Sequence, residues 1–124
     1  MVKKILVIDD NELFRDMLAQ LLTQAGYETA VASDGQKGVR LATKTQVDLV
    51  VTDIIMPEKE GLSTIQELRK MNPTIPIIAV SGGGRIGSET YLTMAKEFGA
   101  RYIFQKPFDN KSLLAAIDGC FSAT

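Results

Sequence analysis

Five short apolar runs punctuate the chain, and the stretches that follow them carry apolar residues at helical spacing. The clearest run is Ile5-Leu6-Val7-Ile8, four aliphatic residues with no polar alternation. A strand with one wet face alternates apolar and polar side chains, so an unbroken run predicts a strand covered on both faces. Further runs occur at Thr29 to Ala32, which is short and weak, Val47 to Thr52, Ile77 to Val80 and Tyr102 to Phe104. After the first comes a helical stripe of Phe14, Met17, Leu18, Leu21, Leu22 and Ala25, with Gly26 placed for a C-terminal cap. Asp34 is positioned to cap a helix around Val39, Leu41 and Ala42, and Leu62, Ile65 and Leu68 mark the next, which Asn72-Pro73 stops. Ser88 opens a fourth helix through Tyr91, Met94, Ala95 and Phe98, closed by Gly99. Asp109 caps a fifth with Leu113, Ile117, Cys120 and Phe121 on one side. Strands joined by helix-length connections require right-handed crossovers, hence an α/β fold with a parallel sheet between two helical layers.

A chain of 124 residues fits one compact domain, 1–124, with no linker or low-complexity tract to divide it. Its formal charge of −1 leaves no electrostatic footprint for nucleic acid or an anionic membrane surface. No apolar run approaches the ~20 residues of a membrane span, and the start of the chain does not read as a signal peptide. Cys120 is the single cysteine, so an intrachain disulfide is impossible and a reduced, cytoplasmic location is expected. With Cys120 on the apolar side of the last helix, a small core residue is the simpler reading than a reactive thiol. Histidine is absent, which removes imidazole acid–base chemistry and leaves an all-oxygen metal site as the main option.

Ligands of such sheets bind at the carboxyl ends of the strands, and the charges of this chain collect there. Asp9 and Asp10 follow the first run, Asp53 the third, and Lys106 the fifth. Carboxylates gathered at one edge repel unless a cation lies among them, and an ammonium beside them suits a bound anion. Two or three carboxylates with a backbone carbonyl and water suit Mg²⁺. With the charge so balanced, one carboxylate becomes capable of nucleophilic attack on phosphorus, Lys106 of pairing with a phosphoryl oxygen, and Ser81 of donating to another. Taken singly, Asp53 could be a helix cap, Lys106 a structural counter-ion, Ser81 a loop donor and Pro107 a helix start. It is their joint placement after the strands of one sheet that points to a phosphate site.

Asp9-Asp10, Asp53-Ile54-Ile55-Met56-Pro57 with Gly61, Ser81-Gly82 and Lys106-Pro107-Phe108 together resemble the receiver domain of two-component response regulators, over essentially the whole chain. The resemblance implies a doubly wound, flavodoxin-like sheet of strand order 2-1-3-4-5 with helices on both faces. It also implies that Asp53 is the phosphoacceptor. Asp10, Asp53 and the Ile55 backbone carbonyl would ligate Mg²⁺, with Asp9 acting largely through water. Ser81 and Lys106 would contact the phosphoryl group, and the Lys106-Pro107 bond would be cis. The implied partners are a sensor histidine kinase or histidine-phosphotransfer protein upstream. Downstream, a protein target would bind the face of the fourth helix, fifth strand and fifth helix, with the chain monomeric or dimerising on phosphorylation. Because the sequence ends after the fifth helix, it is expected to act without an output domain, as a diffusible switch or relay intermediate, or as a receiver excised from a longer regulator.

Three positions depart from the family pattern. Ile103 stands where an aromatic switch residue is usual, and adjacent Tyr102 faces the opposite side of a strand. Ile55 and Gly83, at positions that tune phosphoryl loss, offer no side chain to orient water, which implies a long-lived aspartyl phosphate. Gly82-Gly83-Gly84-Arg85-Ile86-Gly87 fits G-x-G-x-x-G, yet it follows the fourth strand rather than the first and lies beside acids that repel a pyrophosphate, so a pliable loop is the better reading. Two other functions compete with the switch: a Mg²⁺-dependent phosphohydrolase using Asp53 as nucleophile, and a degenerate receiver that binds partners without phosphorylation. The first needs a cap or inserted loops to enclose a substrate, and the short connections supply none.

Overall fold

The structure, a computed structural model, describes residues 2–54, 60–82, 93 and 95–122. Five parallel strands form one sheet: β1 (Lys4–Ile8), β2 (Glu28–Ala32), β3 (Leu49–Asp53), β4 (Ile77–Gly82) and β5 (Tyr102–Lys106), in the order β2-β1-β3-β4-β5. Helices α1 (Glu12–Gln24), α2 (Gly35–Lys44) and α3 (Glu60–Met71) and a C-terminal helix (Asn110–Ser122) surround it. The doubly wound order expected from the motifs is the observed one. The fourth helix expected after Ser88 falls largely outside the described residues, although residues 93 and 95–97 are helical.

Strand alternation divides the core in two. Ile5 and Val7 of β1, Leu49 and Val51 of β3, and Ile78 and Val80 of β4 pack against Leu18 and Leu22 of α1 and Leu113, Ile117 and Cys120 of the C-terminal helix. Leu6, Ile8, Val50, Ile77 and Ala79 face the other way, onto Leu62, Ile65 and Leu68 of α3 and the half-buried Val39 and Leu41 of α2. The unbroken aliphatic runs are thus explained: each central strand supplies both layers, so neither parity can be polar.

The caps follow the local chemistry. Asn11 accepts from the Phe14 amide at 3.0 Å and Asp34 from the Lys37 amide at 2.8 Å, satisfying free donors at the starts of α1 and α2. After α1, the Gly26 amide bonds the Thr23 carbonyl and the Tyr27 amide the Leu22 carbonyl, a Schellman closure that needs the φ of +100° found at Gly26. Not every residue on the expected stripes is buried: Met17 and Ala25 of the α1 stripe are exposed, as is neighbouring Leu13.

At the far end of the sheet, Arg69 ties α3 to two loops by donating to the carbonyls of Pro73, Ile75 and Gly99 at 2.9, 2.7 and 2.7 Å. Burial, and secondarily the charge of Arg101, lower its pKa from the ordinary guanidinium value. Cys120 is buried, and burial pushes its thiol pKa up, with Arg101 pulling weakly the other way. It is a core residue, as its helical position indicates.

Tyr27 leaves the α1 cap to stack on Phe121, ring centroids 5.6 Å apart, and donates its hydroxyl to Asp118. Burial, then the hydrogen bond and charge of Asp118, push its pKa from 10.0 up to about 12. The folded state thus holds this proton more tightly than the unfolded chain. The stabilisation is complete below pH 10.0 and lost as pH rises towards about 12. Tyr27→Phe is expected to flatten the alkaline decline in stability across that window, measured by urea unfolding at stepped pH. An unchanged decline would assign it to other groups.

Candidate functional site

The sheet register brings the ends of β1, β3 and β5 together. Ile8 lies opposite Thr52, Asp53 opposite Val80, Ser81 opposite Gln105 and Gly82 opposite Lys106. Asp53, Ser81 and Lys106 therefore lie within their strands, where the sequence placed them just beyond. The ladder continues because each neighbouring strand still offers a partner. Residues held by a ladder are positioned more rigidly than residues on loops, which suits a site requiring fixed geometry.

Asp9, Asp10 and Asp53 each present a carboxylate oxygen, and the three oxygens lie within 4.8 Å of one another. Asp9 is 1 % exposed and Asp53 6 %, whereas Asp10 is exposed. Lys106 Nζ stands 2.9 Å from one Asp9 oxygen and 3.6 Å from an Asp53 oxygen. The other Asp9 oxygen accepts the Asn11 amide at 2.8 Å, and the Asp9 carbonyl accepts Arg15 at 3.0 Å. Asp9 therefore ties the lysine to the start of α1. Asp53 lies beside the same lysine, and Asp10 is the carboxylate open to solvent.

Lys106 is held from above as well. Its ammonium sits 3.8 Å from the centroid of the Phe14 ring, a cation–π contact. Phe14 in turn meets Phe108 edge-on at 6.0 Å, and Phe108 meets Phe104 at 5.5 Å. The Lys106-Pro107 peptide is cis, as expected. Phe14 and Arg15 went unrecognised as site residues in the sequence, where Phe14 read as part of a core stripe. Only the spatial approach of α1 to the end of β5 gives them that role.

Ser81 is fully buried and engaged in an interaction; its backbone lies one residue beyond the Asp53 partner Val80. Thr52, also buried, donates its hydroxyl to the Asp53 carbonyl at 3.1 Å. Ile103 and Tyr102 are 38 % and 39 % exposed on the edge strand β5. They face opposite ways: Ile103 pairs with Ala79 of the α3 layer, and Tyr102 with Ile78 of the α1 layer. Ile55 and residues 83–87 of the glycine loop lie outside the described residues.

A family model described as response regulator receiver domain matches residues 5–118. The chain belongs to that family. The chemotaxis protein CheY of Thermotoga maritima is 34 % identical over 119 residues, covering 95 % of this chain and 97 % of the relative. The transcriptional regulatory protein CpxR of Klebsiella pneumoniae is 35 % identical over 116 residues, 94 % of this chain but 48 % of the relative. The chain thus spans nearly all of one relative and about half of the other. A crystal structure of a receiver domain protein from Clostridium thermocellum superposes with a TM-score of 0.89 at 30 % identity, covering 98 % of this chain and 95 % of that one. Receiver domains are signalling switches of two-component systems, not turnover enzymes, and that is the class of this chain.

Proposed function

We propose that this receiver domain, residues 1–124, accepts a phosphoryl group on Asp53 with Mg²⁺ present, and that the modification changes a surface read by a downstream protein. The observation that carries this reading is the cluster of three carboxylates with Lys106 bridging two of them. Left alone, the acids repel; a single lysine neutralises only part of their charge, so the set fits a hard divalent cation. Asp10, Asp53 and the Ile55 carbonyl would hold Mg²⁺, with Asp9 behind them. When bound, the ion supplies charge neutralisation for the phosphoryl oxygens.

The residues of the chain divide the remaining work. An Asp53 oxygen attacks phosphorus as the bond to the donor nitrogen or oxygen breaks, and the electron pair leaves with the donor. Lys106, poised 3.6 Å from Asp53, is within reach of a new phosphoryl oxygen on that carboxylate. Ser81, one residue beyond the partner of Asp53 on the adjacent strand, supplies a hydroxyl donor. A movement of Ser81 toward the new oxygens would pull on β4 and so reach its β5 neighbour. Such a bistable surface is how a local charge becomes a binding signal. The donor would be a sensor histidine kinase or histidine-phosphotransfer protein in the cytoplasm. The target surface would comprise the fourth helix, β5 and the C-terminal helix, with phosphorylation-dependent dimerisation as a further outcome.

A phosphodonor assay separates the switch from a hydrolase: stoichiometric labelling supports the switch, and continuous release of phosphate over many turnovers would refute it. The lysine supplies a second test. Lys106→Met removes one positive charge from beside the carboxylates, so Mg²⁺ should bind at least about fivefold more tightly, from the ~1 kcal/mol that two unit charges exchange near 4 Å even in water. Calorimetric titration reads this directly. Unchanged or weaker Mg²⁺ binding would place the cation site elsewhere.

A further inference from the structure

A second charged surface lies at the free edge of β2. Lys37, Arg40 and Lys44 are three and four residues apart on α2, which puts them on one stripe of a helix that carries no acidic residue. Like charges at these spacings destabilise a helix, and Lys37, in the first turn, also opposes the helix dipole. Arg15 of α1 faces the same space, and the four cations line a groove of about 420 Å³. Among the described residues no carboxylate lines this groove. Among the described residues none of the four forms an ion pair: Arg15 donates to the Asp9 carbonyl and Lys37 to the Ser33 hydroxyl at 3.1 Å.

A surface cation ordinarily has a carboxylate on a neighbouring turn or stands alone in water. Four converging on one concavity, with no counter-ion among the described residues, form a site for a polyanion. The floor of the groove narrows the class. Val31 is 42 % exposed near the C-terminal end of β2, and half-buried Leu41 borders the same space. An aliphatic floor under a cationic rim matches a ligand with an apolar ring and several negative charges. The volume lies within the range of small-molecule sites, roughly 300–1,000 Å³.

We propose that this groove binds a small phosphorylated molecule with an aromatic ring, of the nucleoside-phosphate class: Lys37, Arg40, Lys44 and Arg15 take the phosphates, and Val31 and Leu41 the ring. The groove adjoins the acidic cluster, to which Arg15 is bonded through the Asp9 carbonyl, but binding there does not require Asp53 to be phosphorylated. The test is calorimetric titration of the full chain with ATP, ADP, AMP and tripolyphosphate, at low salt. EDTA is included so that no divalent ion draws the nucleotide to the carboxylates. Affinity should fall from ATP to AMP as charge is removed. Arg40→Gln combined with Lys44→Gln should weaken ATP binding by about tenfold or more, while Lys111→Gln on the C-terminal helix leaves it unchanged. Val31→Asn should weaken ATP but not tripolyphosphate. No binding of ATP at about 1 mM, or equal binding by the double variant, overturns the site. Tripolyphosphate binding as tightly as ATP overturns the ring-bearing class.

Discussion

Asp53→Asn is expected to gain no mass from a small phosphodonor in Mg²⁺, under conditions where the wild type gains one phosphoryl group. The substitution exchanges a carboxylate oxygen for an amide of nearly the same shape, so the fold is kept. What is lost is nucleophilicity: the amide has no anionic oxygen to attack phosphorus. Labelling should fall to below about one per cent of wild type, a barrier increase of a few kcal/mol. The other two acids are poor substitutes. Asp9 is committed to Lys106 and the Asn11 amide, and it is more deeply buried than Asp53. Asp10 is exposed but lacks the contact with Lys106 that Asp53 makes at 3.6 Å. Intact-mass measurement decides the matter. A phosphoryl adduct retained in Asp53→Asn, or one formed equally without Mg²⁺, would falsify the assignment of Asp53.

The largest stability effect is expected at a glycine. Gly38 lies in the middle of α2, where glycine costs about 1 kcal/mol relative to alanine, so propensity alone recommends replacing it. The packing forbids this. A Cβ at position 38 would collide with Ile8 Cδ1 and stand 2.7 Å from Ile8 Cγ1. Ile8 is buried at the end of β1, next to Asp9, and cannot move aside without disturbing its own layer. Overpacking of this kind costs about 1–3 kcal/mol, occasionally more, and Gly38→Val, with two further methyl groups, belongs at the upper end. Denaturant unfolding of Gly38→Val should therefore show a loss near 3 kcal/mol, after the small propensity gain is subtracted. A rescue distinguishes this clash from a general effect on α2. Ile8→Val removes the offending Cδ1, so Gly38→Ala should be better tolerated with Ile8→Val than with the native isoleucine. Additive effects of the two changes would rule out direct contact.

Gly38 also shows where sequence reading ends. In the sequence it is one glycine in an amphipathic helix, and nothing local marks it as a point of close approach. The requirement comes from β1, thirty positions earlier, through the angle at which α2 crosses the sheet. The Asp9-Asp10 pair carries the same lesson. As a sequence motif the two are neighbours of equal chemistry. The direction of the chain as it leaves β1 buries one against Lys106 and leaves the other in solvent.

Other features were legible because their causes are local. Asp34 capping α2 and Gly26 closing α1 depend on backbone groups within a few residues. The central strands were legible because burial on both faces excludes polar residues at either parity. Strand ends were less so: Asp53 and Lys106 complete ladders whose partners are on other strands, and no local signal extends a strand through a charged residue. Phe14 and Arg15 followed the same rule. Their positions predicted a helix, but the contacts to Lys106 and Asp9 depend on how that helix rests on the sheet.

By itself the sequence determined the strand–helix alternation, the parallel sheet and the set of charged residues at one edge, because all three arise from periodicity and order along the chain. Tertiary structure decided which acid is buried, which ring holds the lysine, and that Arg15 and the cations of α2 line one groove. Those outcomes depend on distances between residues far apart in sequence. Such distances are set by helix placement and strand register, which no local pattern encodes.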